Sequence, residues 1–204
     1  MPRILPGVIA MATVVVASNI LVQHLLGDWL TWGALTYPVA FLVTDVMNRV
    51  YGPAAARKVV FAGFMTGVLC SIVAAGLDKT TLRIAIASGA AFLSAQLMDI
   101  SVFNQLRKYN WWLPPLVATL VGSVLDTVIF FTIAFAAPLS VLFPADDVSW
   151  ANEPVALLGM GPVLPLWVSL ATADWLVKVA QAVVALIPFR LIVGNLIQRH
   201  AQIH

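Results

Sequence analysis

Residues 94–131 read SAQLMDISVFNQLRKYNWWLPPLVATLVGSVLDTVIFF. Two apolar runs, each long enough to cross a bilayer, flank the hexapeptide Arg107-Lys108-Tyr109-Asn110-Trp111-Trp112. A basic, aromatic turn of this kind stops at a membrane surface, where indole and phenol rings sit at headgroup level. The first run carries Gln96 and Asp99, the second Asp126 and Thr127. A carboxylate at the bilayer centre costs about 2.5–3.5 kcal/mol on insertion scales, so intramembrane acids face a bundle interior or a cavity. The stretch therefore reads as a transmembrane hairpin with a polar inner face, in an all-α membrane protein.

The composition agrees. Of 204 residues, 61% are hydrophobic and 10% charged, and the mean hydropathy is +0.97. A soluble domain of this length has too little interior to hide so much apolar side chain. About twenty apolar residues cross the hydrocarbon core. Six stretches qualify, at about 6–26, 30–50, 54–77, 82–105, 113–137 and 166–189, and they fill 1–204 as a single transmembrane domain. The first is too polar at Ser18-Asn19 and Gln23-His24 for a signal peptide, and no small-residue cleavage site follows it.

Six spans place both termini on one side, and Lys/Arg placement selects that side. With the termini inside, Arg3, Arg49, Arg57, Lys58, Arg107, Lys108, Arg190 and Arg199 are inside. Only Lys79 and Arg83 are outside, with Asp28, Asp78, Asp146, Asp147 and Glu153. Cytoplasmic N and C termini follow. Trp29, Trp32, Trp150 and Trp167 then mark the outer interface, and Tyr51, Tyr109, Trp111 and Trp112 the inner one. The long connection 138–165 is either a lid over an outward-facing cavity or a loop in the headgroup layer. Pro38 should kink the second span and free a carbonyl near Tyr37.

Asp45, Asp99, Asp126, Asp174 and Lys178 lie inside the spans, and helical spacing gives each a face. Tyr37, Phe41, Thr44, Asp45 and Asn48 share one stripe; Phe92, Gln96, Asp99 and Phe103 share another. Span five adds Thr119, Gly122, Ser123, Asp126, Thr127 and Phe130, span six Trp167, Asp174, Lys178 and Gln181, and span one Asn19 and Gln23. Span three has almost no polar stripe and reads as scaffold. Convergence of these stripes predicts a pocket of hydrogen-bonding groups between aromatic walls, suited to a small planar heterocycle. A carboxylate can take two N–H bonds from an amidine-like edge.

The candidate substrate-binding residues are Asp126, Gln96, Asp99, Asn19, Asp174, Lys178, Asp45, Thr127, Phe130 and Trp167. Bland readings stand beside these. Asp174 and Lys178, four apart with the acid first, can neutralise each other. Asp45 can pair with Arg49, and Asp99 can bond Asn104 or Arg107. Gln96 and Asn19 can be interhelical glue, and Gly63, Gly67, Gly122 and Ser123 close-packing positions. Asp126 has no cation on its own helix and stands first for direct function.

Other chemistries lack their residues. His24, His200 and His204 are not spaced as metal ligands. There is no Gly-x-Ser-x-Gly nucleophile and no Gly-x-x-x-x-Gly-Lys loop, so neither hydrolysis nor ATP turnover is expected. No cofactor is expected, and no basic cluster suits nucleic acid. The single cysteine, Cys70, excludes an intrachain disulfide.

Several motifs together resemble the queuosine precursor transporter family, vitamin-uptake-like proteins of the bacterial inner membrane. They are Ser18-Asn19, Trp32-Gly33-Ala34, Phe41-Leu42-Val43-Thr44-Asp45, Ala56-Arg57-Lys58, Gln96-Leu97-Met98-Asp99, Val102 to Arg107, Trp111-Trp112-Leu113-Pro114, Gly122 to Thr127, Phe130-Phe131 and Asp174…Lys178. The resemblance implies import of 7-cyano-7-deazaguanine and its aminomethyl form for tRNA modification. It also implies a six-helix fold similar to the substrate-binding subunits of energy-coupling-factor importers, acting without the ATPase module. On that reading Asp126 or Asp174 accepts the guanidine-like edge, and Gln96, Asn19 or Lys178 donates to the ring carbonyl. Phe or Trp rings stack on its face. The expected partners are a small planar deazapurine and the lipid bilayer; a homodimer stays open. The runner-up is a binding subunit needing an ATPase-containing partner. Such subunits dock through small residues at four-residue spacing on span one, where only Thr13 and Ala17 qualify.

Overall fold

A computed structural model describes residues 4–27 and 29–201, with the side chains of all of these but residues 25 and 199–201. Arg3, Asp28 and His204 lie outside the described residues, as do the side chains of Arg199 and His200. The order is α1 (Leu5–Leu21), β1 (Leu25–Leu26), β2 (Leu30–Thr31), α2 (Trp32–Thr36), α3 (Val39–Tyr51), α4 (Pro53–Gly76), α5 (Leu82–Leu106) and α6 (Leu113–Phe135). After a long connection come α7 (Leu166–Val184) and α8 (Leu186–Ala201). Among the described residues, α4, α5, α6 and α7 are long and apolar enough to cross a membrane. The chain is an all-α membrane protein.

The expected spans are altered at three places, each with a local cause. The second is two helices, because Pro38 has no N–H to bond the Ala34 carbonyl. The chain passes it by tighter bonds, Ala40 N to Tyr37 O (3.0 Å) and Phe41 N to Pro38 O (3.1 Å). Gln181 Nε2 on α7 reaches the freed Ala34 carbonyl at 3.5 Å. The sixth ends at Val184 because Pro188 removes the next helical donor, and α8 turns away. The first ends at Leu21, after which β1 and β2 pair antiparallel through Gly27 at φ 68°. Between α3 and α4, Gly52 at φ 86° closes one helix and opens the next, a conformation costly to any residue with a Cβ.

The α5–α6 hairpin is the centre of the bundle. Ala87, Ala91 and Ala95 recur every fourth residue on α5 and are buried, so α6 can approach closely. A Cβ added at Gly122 would lie 2.7 Å from the Phe41 ring and 3.2 Å from the Ala95 carbonyl. Met11, Val59, Val60, Phe92 and Ile100 fill the space between α1, α4 and α5. Phe103, Ala118, Phe189 and Val193 do so between α5, α6 and α8. The scaffold reading of span three fits α4, which buries Ala56, Val59, Val60 and Gly63 and exposes Phe61, Met65, Leu69, Ile72 and Val73.

Arginines close three helix ends, where carbonyls lack partners and the macrodipole favours a cation. Arg49 Nη1 donates to the Arg107 carbonyl at 3.0 Å, and Arg107 Nη2 to the carbonyls of Asn48 and Arg49. Each arginine thus serves the other's helix. At the opposite end Arg83 is fully buried. It donates to Ile133 O (2.7 Å), Ala136 O (2.7 Å) and Ser140 Oγ (3.1 Å), sealing the end of α6. The α6–α7 connection is ordered. It contains the ladder β3 (Pro154–Ala156) with β4 (Val163–Pro165), and Asn152 Nδ2 pins it to Phe135 O at 2.9 Å. Asp147 accepts from the Ser149 amide at 2.9 Å, which holds its carboxyl below the ordinary carboxylate range.

Replacing Arg83 with Met removes three hydrogen bonds from a charged donor while keeping the apolar stem. Each such bond contributes about 1.5–3 kcal/mol, so Arg83→Met should lower the thermal unfolding midpoint of the detergent-purified protein by several degrees. Lys58→Met, at an exposed position of α4, should leave it unchanged.

Candidate functional site

Polar side chains from α3, α5, α6 and α7, with Tyr37 from the turn between α2 and α3, converge inside the bundle as two adjoining centres of different character. The first is ionic. Lys178 Nζ on α7 contacts Asp126 Oδ2 on α6 at 2.6 Å and Asp174 Oδ2 one turn back on its own helix. It also donates to Thr127 Oγ1 at 3.1 Å. The Thr127 hydroxyl donates to Asp174 Oδ2 (3.1 Å), and the Tyr37 hydroxyl to Asp126 Oδ1 (3.2 Å). Every carboxylate oxygen of Asp126 is thereby engaged. Lys178 and Asp126 are 4% and 3% exposed, so this charge is balanced by protein and not by water. Tyr37 reaches Asp126 from the break between α2 and α3.

The second centre lies about two turns toward the start of α6. Thr119 Oγ1 donates to Asp45 Oδ2 at 3.2 Å, and Thr44 Oγ1 to Gln96 Oε1 at 2.5 Å. Asn48 Nδ2 donates to the Ile100 carbonyl at 3.3 Å. Asp99 lies on α5 between Gln96 and Ile100, whose partners Thr44 and Asn48 flank Asp45 on α3. Here satisfaction is incomplete. Asp45 Oδ1, both Asp99 oxygens, Asn48 Oδ1 and Gln96 Nε2 are buried without a partner. Beside Asp45 opens a cavity of about 270 Å³. Its walls include Phe41 and Leu42 from α3, Pro115 and Thr119 from α6, Gln181 from α7, and Phe189 from α8.

The sequence-derived candidates divide accordingly. Asp126, Asp174, Lys178 and Thr127 meet in the ionic centre; Asp45, Asp99 and Gln96 meet in the other. Asp45 does not pair with Arg49, nor Asp99 with Arg107, because both guanidinium groups are turned onto helix-end carbonyls. The Asp174–Lys178 pair forms as spaced, and Asp126 joins it from another helix. Asn19 joins neither centre: its amide donates to the Val15 carbonyl of its own helix at 2.9 Å. Phe130 packs edge-on against Phe131 and Phe135, with centroids 5.1 and 6.1 Å away. Trp167 is half-buried in the first turn of α7, two turns before Asp174. Tyr37, Thr44, Asn48 and Thr119 belong to the stripes legible in sequence but were outside the candidate set. Phe189 was missed altogether; the signal was Pro188, in the first turn of α8 beside the cavity.

Comparison with known proteins gives this arrangement a family. Residues 31–193 match the model of the family described as "Putative vitamin uptake transporter". The chain is 32% identical to the queuosine precursor transporter of Escherichia coli, over 90% of this chain and 83% of that one. It is 32% identical to the "Probable queuosine precursor transporter" of Haemophilus influenzae, over 84% and 72%. The similarly named protein of Bacillus subtilis is 28% identical over 80% and 71%. No solved structure matches. Family and relatives are transporters rather than enzymes, and the apolar helices make this a multi-pass protein of the inner membrane. Matched over most of its length by both comparisons, the chain belongs to the queuosine precursor transporter family of vitamin-uptake proteins.

Proposed function

We propose that this protein imports queuosine precursors, 7-cyano-7-deazaguanine and 7-aminomethyl-7-deazaguanine, as a secondary transporter that needs no ATPase partner. The names of the relatives support the substrate class. The observation that carries the site is the cavity of about 270 Å³ with a carboxyl at one end and aromatic rings on its walls. A planar two-ring heterocycle fits between Phe41 and Phe189. Its N–H edge would bond Asp45, and the Gln181 amide would serve the ring carbonyl. Asp45 is preferred to Asp126 for this contact because both Asp126 oxygens are already taken.

The ionic centre then acts on position rather than on substrate. Lys178 fastens α7 to α6, and Tyr37 fastens the broken second span to both, so any rocking of these helices is registered there. We read six crossings: α1, the α2–α3 pair, α4, α5, α6 and α7, forming one domain with both termini cytoplasmic and the general plan of energy-coupling-factor substrate-binding subunits. Two features support the orientation. Arg49, Arg57, Lys58, Arg107 and Lys108 gather at one end. Arg190 of α8 lies 4.9 Å over the Trp111 ring at that same end, which keeps α8 at the interface.

The test is uptake by cells that cannot make the precursor and lack their own transporter, read as queuosine in host tRNA. The wild-type chain alone should restore modification at low external 7-cyano-7-deazaguanine. Binding by purified protein without restoration would favour a missing ATPase partner. Asp45→Asn should lower uptake about tenfold or more at unchanged expression, the loss of one charged hydrogen bond to substrate. Asp126→Asn should also abolish most uptake while the protein still folds, because Asp174 continues to neutralise Lys178. The double variant Asp126→Asn/Asp174→Asn strands a buried ammonium, a defect of about 3–5 kcal/mol. It should show as loss of monodisperse protein on size exclusion.

A further inference from the structure

We propose that the Asp45–Asp99 carboxyl pair is a proton site, and that one proton enters the cell with each substrate molecule. The inference rests on the transport reading above and adds its driving force. Asp99 is fully buried and Asp45 is 3% exposed. The bonds from Thr44 to Gln96 and from Asn48 to Ile100 hold α3 against α5 on either side of the two, and Thr119 of α6 donates to Asp45. Three of their four oxygens have no hydrogen-bond partner.

Among the described residues no cation forms an ion pair with either; both ion pairs belong to Lys178, which is held by Asp126 and Asp174. Arg49 on α3 and Arg107 after α5 point at carbonyls. Arg190 on α8 lies over Trp111. Arg57 and Lys58 of α4 are exposed. The remaining groups facing the pair are neutral: Thr44, Asn48, Gln96, Thr119 and, across the cavity, Gln181. Two adjacent carboxylates in a buried site without a cation cannot both be ionised. A single shared proton removes the repulsion and supplies a donor to one of the orphaned oxygens. The Asp99 oxygens are inaccessible and Asp99 does not line the cavity. The occupant of that side is therefore small, and a proton needs no added room.

The two residues divide the work. Asp45 lines the cavity and Asp99 lies behind it. When the N–H edge of a substrate settles on Asp45, that carboxyl serves best as the acceptor anion, and the shared proton rests on Asp99. Substrate and proton then stabilise each other's binding, which is the linkage that symport requires. The proton comes from the outer aqueous phase and leaves inside with the substrate, when opening toward the cytoplasm hydrates the pair and lets both carboxyls ionise until the outward-facing site is reprotonated.

The experiment uses the full chain in proteoliposomes with labelled 7-cyano-7-deazaguanine and the membrane potential clamped at zero. With the outside one pH unit more acid, one-to-one coupling supports about tenfold accumulation. A protonophore should abolish it, while counterflow exchange in the absence of any gradient continues. Asp99→Asn should retain counterflow and lose accumulation. A second measurement needs no variant: external 7-cyano-7-deazaguanine should acidify wild-type vesicles, read by a trapped pH dye. Wild-type counterflow without pH-driven accumulation or substrate-driven acidification overturns the proton site and leaves the transport reading intact. Absence of wild-type counterflow overturns both. Full accumulation by Asp99→Asn overturns the assignment to this pair.

Discussion

One ammonium shared by two carboxylates on different helices is the constraint on which the rest of the bundle depends. An isolated charge among these helices would carry a desolvation penalty of several kcal/mol. Lys178, Asp126 and Asp174 remove it for one another only if α6 and α7 keep their relative height to within a hydrogen bond. That requirement fixes the rotation of both helices and presents Thr119 and Gly122, on the same face of α6, to α3 and α5. Gly122 then admits Phe41 at a distance no larger residue would allow. The ionic contact and the close packing are thus two consequences of one helix orientation.

Two carboxyl groups against one ammonium leave acceptor oxygens over, and the neighbouring hydroxyls answer them. Tyr37 and Thr127 both donate to carboxylate oxygens. Tyr37 does so from the position just before the proline that breaks the second span, and the same break leaves a free carbonyl for Gln181. The second proline break, before Pro188, brings Phe189 to the other side of the same cavity. Irregular backbone at membrane depth is tolerated where it is buried in protein or lines a cavity, and both breaks meet that condition.

Much of this was legible in sequence because lipid makes the rules strict. Every intramembrane acid had to face inward, so helical spacing alone placed Asp45, Asp99, Asp126 and Asp174 on converging faces. The positions of α4 to α6 followed from apolar length. What spacing could not give was pairing between helices. Asp45 with Arg49 and Asp99 with Arg107 are sensible neighbours along a chain. The arginines instead serve helix-end carbonyls, whose need for donors has no signature in side-chain pattern. Arg83 is the clearest case: as a lone basic residue at a span boundary it reads as a surface charge, yet it is buried on the end of α6. Asn19 is the reverse case. It lies at a plausible depth, but its own helix offers the Val15 carbonyl, and a local acceptor suffices.

The contrast between the two polar centres bears most directly on function. Both are buried and adjacent, and α6 contributes to each. One is saturated, with each charged oxygen answered. The other keeps five polar atoms without partners on Asp45, Asp99, Asn48 and Gln96, each at a cost of about 1–3 kcal/mol. Such a deficit is not needed to hold the bundle, which the saturated centre and the apolar packing already do. A fold that tolerates the deficit does so where something arrives to fill it. The saturated centre holds the helices in register, and the unsaturated one is where cargo and proton complete the hydrogen bonding that the chain leaves open.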